Sequence, residues 1–290
     1  MGVFSPVADF DAHGKHAQAV AFSKDGTLLV SAGQDARVRL WRVGDWKPAG
    51  VFEGHAKSVN SIAFAPDGKR IATGSTDGTV RVFSFPRGET EGVLEGQVAA
   101  AFSPDGKRLA TASAKASGAI WDAKTLAPIA SSKKLGKRCL AVEFSGDGRT
   151  LFVGGEGPVH RIDPETGEIA GALEGHSVIV AALRRSPDGK TLASSGGDLH
   201  VRLFSIASGK EIAKAPLPGP GVMQLAWAPD GKSLAASVDG AIVFFAAASG
   251  KPLERVDVKL KGVYGIAISP DGRLLANAAA DGHVRVWERG

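Results

Sequence analysis

Three sets of residues in this chain of 290 carry the side-chain types that hydrolases use. Histidine, a hydroxyl residue and aspartate occur as His13, Ser31 and Asp35, as His55, Thr73 and Asp77, and as His176, Ser194 and Asp198, with intervals of 18 and 4 each time. A base, a nucleophile and an orienting carboxylate are the parts of acyl-transfer chemistry, but that chemistry also needs an exposed hydroxyl beside a cleft with oxyanion donors. Three equivalent copies argue against an active site, and each copy is followed six residues later by a large aromatic, Trp41, Phe83 or Phe204. The chain is therefore expected not to be an enzyme. Metal chemistry has as little support, because His13, whose spacing to His16 suits a ligand pair, already belongs to a set. His160, His200 and His283 are scattered, and neither a phosphate-cradling G-x-x-x-x-G-K-[ST] nor a dinucleotide fingerprint occurs. No cofactor and no metal are expected.

The elements that position these sets come from a repeat. Phrases such as SKDGTLLVSAGQD, APDGKRIATGSTD and SPDGKTLASSGGD occur seven times, with turn aspartates at Asp25, Asp67, Asp105, Asp147, Asp188, Asp230 and Asp271. The intervals are 42, 38, 42, 41, 42 and 41 residues. A period of this size built from short strands is that of a propeller, in which each repeat is one four-stranded blade that buries its faces against its neighbours. In the second repeat SVNSIAFA, KRIATGS, TVRVFSF and ETEGVLEG read as the four strands, and the Asp-Gly turns suit tight hairpins because glycine accepts the left-handed conformation. The seventh repeat stops at VRVWERG, so residues 3–12 are expected to supply its outer strand and close the ring, which removes an open edge. Residues 1–290 read as one all-β domain.

The fixed spacing of His, Ser or Thr, Asp and Trp or Phe inside a sevenfold period closely resembles the WD40 repeat family, over essentially the whole chain. The resemblance implies a seven-bladed propeller of four antiparallel strands per blade, in which each set forms a buried hydrogen-bonded relay. The repeats depart from the pattern in places. Blade 3 has Gln97 for the histidine and Lys115 for the aspartate, blade 4 reads GGEGPVHRID without histidine or tryptophan at the relay positions, and blade 7 has Asn277 with Trp287. The terse repeats look like bacterial members. The family further implies that partners meet the end of the ring formed by the loops after each fourth and each second strand. Carried over by position, that face holds His16, Gln18, Gln34, Ser58, Asn60, Thr76, Arg138, Leu140, Ile179, Met223 and Tyr264. Tyrosine, methionine and arginine combine contact area with adaptability or a polar tip, which favours a protein or peptide partner. The expected function is a scaffold for protein assembly, a monomeric propeller within a larger complex.

Composition sets the remaining bounds. With 43% hydrophobic and 22% charged residues disorder is not expected, no stretch approaches the roughly 18 consecutive apolar residues of a membrane span, and MGVFSPVADFDAH lacks the pattern of a signal peptide, so a cytoplasmic location is expected, or a periplasmic one if a leader has been removed. The single cysteine, Cys139, excludes an intramolecular disulfide; beside Arg138 its thiol could be activated, but strand burial is the expected fate. A net charge of +5 leaves nucleic acid or another anionic partner as an alternative, through Lys133, Lys134, Lys137 and Arg138, although such runs usually face water. Finally, Arg184 and Glu143 take the slot where sibling repeats carry alanine, and Arg185 takes that of Phe22, Phe64, Phe102 and Phe144. Buried charges need partners, so Glu143 is expected to pair with Arg185 or Arg184. The alternative is an anion site, or another small-ligand or enzymatic site, in the central channel.

Overall fold

A computed structural model describes residues 4–113, 115–219, 224–258 and 262–290. Seven four-stranded antiparallel sheets make up the described chain, six of them meanders in chain order, and no helix occurs among the described residues. In blade 1 the strands are Ala17–Phe22, Leu28–Gly33, Val38–Arg42 and Pro48–Phe52. Blades 2 to 6 repeat this plan. In blade 7 the strands Val263–Ile268, Leu274–Ala279 and His283–Arg289 are completed by Phe4–Asp11, which pairs antiparallel with His283–Arg289. The closing strand thus ends one residue before the expected 12, and Val3 lies outside the described residues.

Burial runs from the inside of each sheet outward. Second strands such as Arg70–Ser75 are buried beyond their first residue, whereas fourth strands bury about one residue each, for example Phe52, Leu94 and Leu173. The core therefore lies between adjacent blades. Where the ring closes, Val284 and Val286 of blade 7 share a cluster with Phe22, Leu29 and Trp41 of blade 1, and Phe4 stacks 5.4 Å from Phe244 of blade 6.

The Asp-Gly hairpins repeat a single local design. The Asp25 carboxylate accepts from the Ser23 hydroxyl at 2.6 Å and from the Thr27 amide at 3.1 Å, while Gly26 takes φ +71° and donates its amide to the Ser23 carbonyl. Five blades carry this serine, at Ser23, Ser103, Ser145, Ser186 and Ser269, and its hydroxyl lowers the carboxyl pKa of Asp25, Asp105, Asp147, Asp188 and Asp271. An ionised carboxylate accepting two or three donors is the form that holds such a turn.

Candidate functional site

In blade 1 the residues of the first set form one continuous chain of hydrogen bonds. Trp41 Nε1 donates to Ser31 Oγ at 2.9 Å, Ser31 Oγ lies 2.9 Å from His13 Nε2, and His13 Nδ1 lies 2.8 Å from Asp35 Oδ1. With Nδ1 protonated, tryptophan gives to serine, serine to Nε2, and Nδ1 to the carboxylate. The His13 ring sits against Gly33, where any side chain would collide with it at 2.5 Å. Blades 2 and 5 bring together His55, Thr73 and Asp77, and His176, Ser194 and Asp198, at 2.7–3.0 Å. Phe83 and Phe204 are fully buried beside them but have no N–H, so these two relays are one donor shorter.

The serine and threonine hydroxyls are wholly buried, which closes them to a substrate. Burial lowers the pKa of His13, His55 and His176, against the pull of their aspartates, and so favours the neutral rings. Hydrogen bonds hold Asp77 well below the usual carboxylate range despite desolvation.

A further set of arginines pairs with the aspartates after the second strands, in blades 1 and 5 beside a relay and in blade 7 without one. Arg39 contacts Asp35, Arg202 lies 3.3 Å from Asp198, and Arg285 lies 2.6 Å from Asp281. The signal was present as Asp-x-x-Val-Arg, which recurs at Asp35–Arg39, Asp77–Arg81, Asp198–Arg202 and Asp281–Arg285.

The loops after the fourth and the second strands are hydrogen-bonded to each other at one end of the ring. Gln34 N donates to the His16 carbonyl, Thr76 N to Ser58, Gly197 N to Ile179 and Ala280 N to Gly262, each at 2.8–2.9 Å. The first strand of six blades carries a register shift there, leaving Gln18, Asn60, Val98, Leu140, Ala181 and Tyr264 as the extra residues. A bulge of this kind unpairs one residue and re-aims its side chain. Gln34, Asn60, Thr76 and Arg138 are exposed, and His16, Gln18, Ser58, Leu140, Ile179 and Tyr264 are half-buried. The rings of His16 and Tyr264 meet at 5.6 Å across the closure between blades 1 and 7, whereas Met223 lies outside the described residues.

Near this end, Leu135 N donates to the Ala116 carbonyl at 2.7 Å, which places Lys115 alongside the loop carrying Lys133, Lys134, Lys137 and Arg138. All five cations are exposed, and none forms an ion pair among the described residues. Cys139, by contrast, is buried, and burial pushes its thiol up to about 11, the opposite of activation.

The first strands of all seven blades line a central channel with a cavity of about 390 Å³. Five blades present Ala21, Ala63, Ala101, Ala226 and Ala267, while blades 4 and 5 present Glu143 and Arg184. Arg184 donates Nη1 to the Leu183 carbonyl at 2.8 Å and Nη2 to Gln224 Oε1 at 2.6 Å. Glu143 Oε1 accepts from the Phe144 amide at 3.1 Å. Arg185 Nε lies 4.0 Å from the same carboxylate and has no hydrogen-bond partner among the described residues, so the expected Glu143–Arg185 pair is an ionic contact only. Burial raises the Glu143 pKa and lowers that of Arg184, each opposed by the other's charge.

Comparison with known proteins accords with this geometry. The WD40 family, described as WD domain, G-beta repeat, matches residues 4–42, 46–84, 88–122, 167–205, 211–245 and 250–288, leaving out the stretch that carries the first three strands of blade 4. Relatives include eukaryotic translation initiation factor 3 subunit I of Scheffersomyces stipitis, 32% identical over 34% of this chain and 28% of that protein. Periodic tryptophan protein 2 homolog of Schizosaccharomyces pombe is 36% identical over 37% of this chain and 12% of that protein. Periodic tryptophan protein 2 of Arabidopsis thaliana is 40% identical over 28% of this chain and 9% of that protein. The match thus spans less than a third of each of these relatives. They come from yeasts and a plant, which overturns the expectation of a bacterial type of repeat.

Proposed function

We propose that this chain, which belongs to the WD40 family, is a non-enzymatic scaffold that binds a protein or peptide partner on the end of the ring where the bulged residues lie. The observation that carries the reading is the row of register shifts: the same extra residue in six blades frees Gln18, Asn60, Leu140 and Tyr264 from their ladders at one end. Around them His16, Gln34, Ser58, Thr76, Arg138 and Ile179 complete a rim that mixes amides, hydroxyls and apolar groups, with the His16–Tyr264 pair at the ring closure. A rigid closed ring lowers the ordering cost of binding, because little of this surface has to be immobilised. Relatives whose names call them a subunit of an initiation factor support the same reading.

Site-specific photo-crosslinking tests it. A crosslinker at Tyr264 is expected to trap a discrete partner from the native extract that one at Asp67, in an Asp-Gly hairpin at the other end, does not. Loss of that adduct in a folded His16→Glu variant would tie the partner to the rim, while equal adducts from both positions would refute the assignment of the face.

A second reading has its own observation, the five exposed cations at Lys115, Lys133, Lys134, Lys137 and Arg138, none in an ion pair among the described residues. An anionic partner there, nucleic acid included, is bound with an affinity that falls steeply as salt rises. Salt-insensitive binding of the crosslinked partner excludes this reading.

A further inference from the structure

The channel wall is unequal in polarity. On one side stand the alanines of blades 1, 2, 3 and 7, and on the other Glu143, Arg184, Arg185 and Gln224 converge from three consecutive blades. In total three cations, Lys24, Arg184 and Arg185, line the cavity against the single carboxylate of Glu143. A guanidinium has five N–H donors, and Arg184 commits two of them, to the Leu183 carbonyl and Gln224 Oε1. The Arg185 Nε is buried without a hydrogen-bond partner among the described residues, and its distance to Glu143 is too long for one. Lys24, Arg184 and Arg185 leave the channel wall with an excess of positive charge, which an anion complements. The cavity of about 390 Å³ has the size of a small-molecule site.

We propose that the central channel binds a small oxyanion, a carboxylate or a phosphate, on the open donors of Arg184, with Arg185 and Gln224 beside it. The planar guanidinium fork matches two oxygens of either group, which a halide cannot reproduce. Of the rim residues only Leu140 also lines this cavity, and the anion site is tested without the rim.

The test is thermal melting and titration calorimetry of the full chain with sodium butyrate, sodium phosphate or sodium chloride at matched ionic strength. A saturable rise in melting temperature with butyrate or phosphate, absent with chloride, is expected, and the stronger of the two identifies an organic carboxylate or a phosphate as the natural chemistry. Arg184→Ala installs the residue that five sibling blades carry at this slot and is therefore compatible with the fold. It is expected to weaken binding at least about tenfold, the loss of a charge-assisted pair of hydrogen bonds. Glu143→Gln removes the competing carboxylate and is expected to tighten binding. A chloride effect equal to that of the oxyanions, no saturable shift with any salt, or undiminished binding by Arg184→Ala would each overturn the proposal.

Discussion

Replacing His55 with alanine separates a structural relay from a reactive site. The ring is almost fully buried, with Nε2 at 2.9 Å from Thr73 Oγ1 and Nδ1 at 2.9 Å from Asp77 Oδ2. Asp77 keeps three other donors, the Ala56 amide, the Thr79 amide and the Thr79 hydroxyl. Thr73 is less well supplied, because blade 2 has Phe83 where blade 1 has the Trp41 N–H. His55→Ala therefore strands a wholly buried hydroxyl and leaves a cavity, and the two effects together cost about 3 kcal/mol. For a chain of this size that is a fall of about 6 °C in melting temperature. Thr73→Val removes the same bond from its other end at nearly constant volume, so the double variant is expected to be more stable than the two single losses imply, by about 1 kcal/mol or more. Urea denaturation of the four proteins measures this. A His55→Ala variant that melts within about 1 °C of the parent, or strictly additive losses, would refute the relay as a load on stability.

Removing residues 1–11 deletes the outer strand of blade 7, the Phe4–Phe244 stack and the contacts of Asp9 with His283 and Arg285, and is expected to lower the melting temperature by more than about 10 °C. Calorimetry with light scattering checks it, and a well-behaved truncated monomer would contradict closure by this strand. Trp121→Phe in blade 3 removes the indole donor 2.8 Å from Thr111 Oγ1 and is expected to cost about 1 kcal/mol, most of which disappears in a Thr111→Val background. Stability also falls with acid in two stages. Below about pH 6.5 the unfolded chain protonates its histidines while His13, His55 and His176, their pKa lowered by burial, stay neutral, so stability declines as pH drops toward their folded values. Below about pH 4 the hairpin aspartates, lowered by their serine hydroxyls, add a further loss. A urea midpoint unchanged between pH 7.5 and pH 5 would refute the first stage.

The ring was legible in the sequence because its period and its Asp-Gly turns are local signals, and the relays were legible because 18 and 4 are fixed by the register of two neighbouring strands. The third-strand arginines were equally local, as Asp-x-x-Val-Arg, and were overlooked because valine and aromatic neighbours made the segment read only as a buried strand. Other features have no local signature. The bulge at Tyr264 is a property of its pairing with the next strand, not of its composition. Gln224 enters the channel set only because Arg184, 40 residues away, lies beside it, and Lys115 joins the basic loop through a backbone bond between Leu135 and Ala116.

The loss of relays from some blades is concerted. In blade 4 the histidine, hydroxyl and tryptophan slots hold Leu135, Val153 and Ile162, all buried in one apolar cluster. In blade 6 the hydroxyl and tryptophan slots hold Ala236 and Phe245, again buried together. Blade 3 keeps Thr111 but also keeps Trp121 to donate to it. A buried polar network is stable when complete and can be exchanged for well-packed apolar groups with little net change, whereas half a network leaves an unpaired group. Blades 4 and 6 have taken the apolar form, whereas blade 7 keeps Asn277 with its amide nitrogen and oxygen buried and without a hydrogen-bond partner among the described residues. Blades 4 and 6 are also two of the three that place Glu143, Arg184 and Gln224 around the channel, so the polar groups there are not remnants of the relay; Glu143 and Arg184 lie on first strands and Gln224 immediately precedes one, at positions the relay never used.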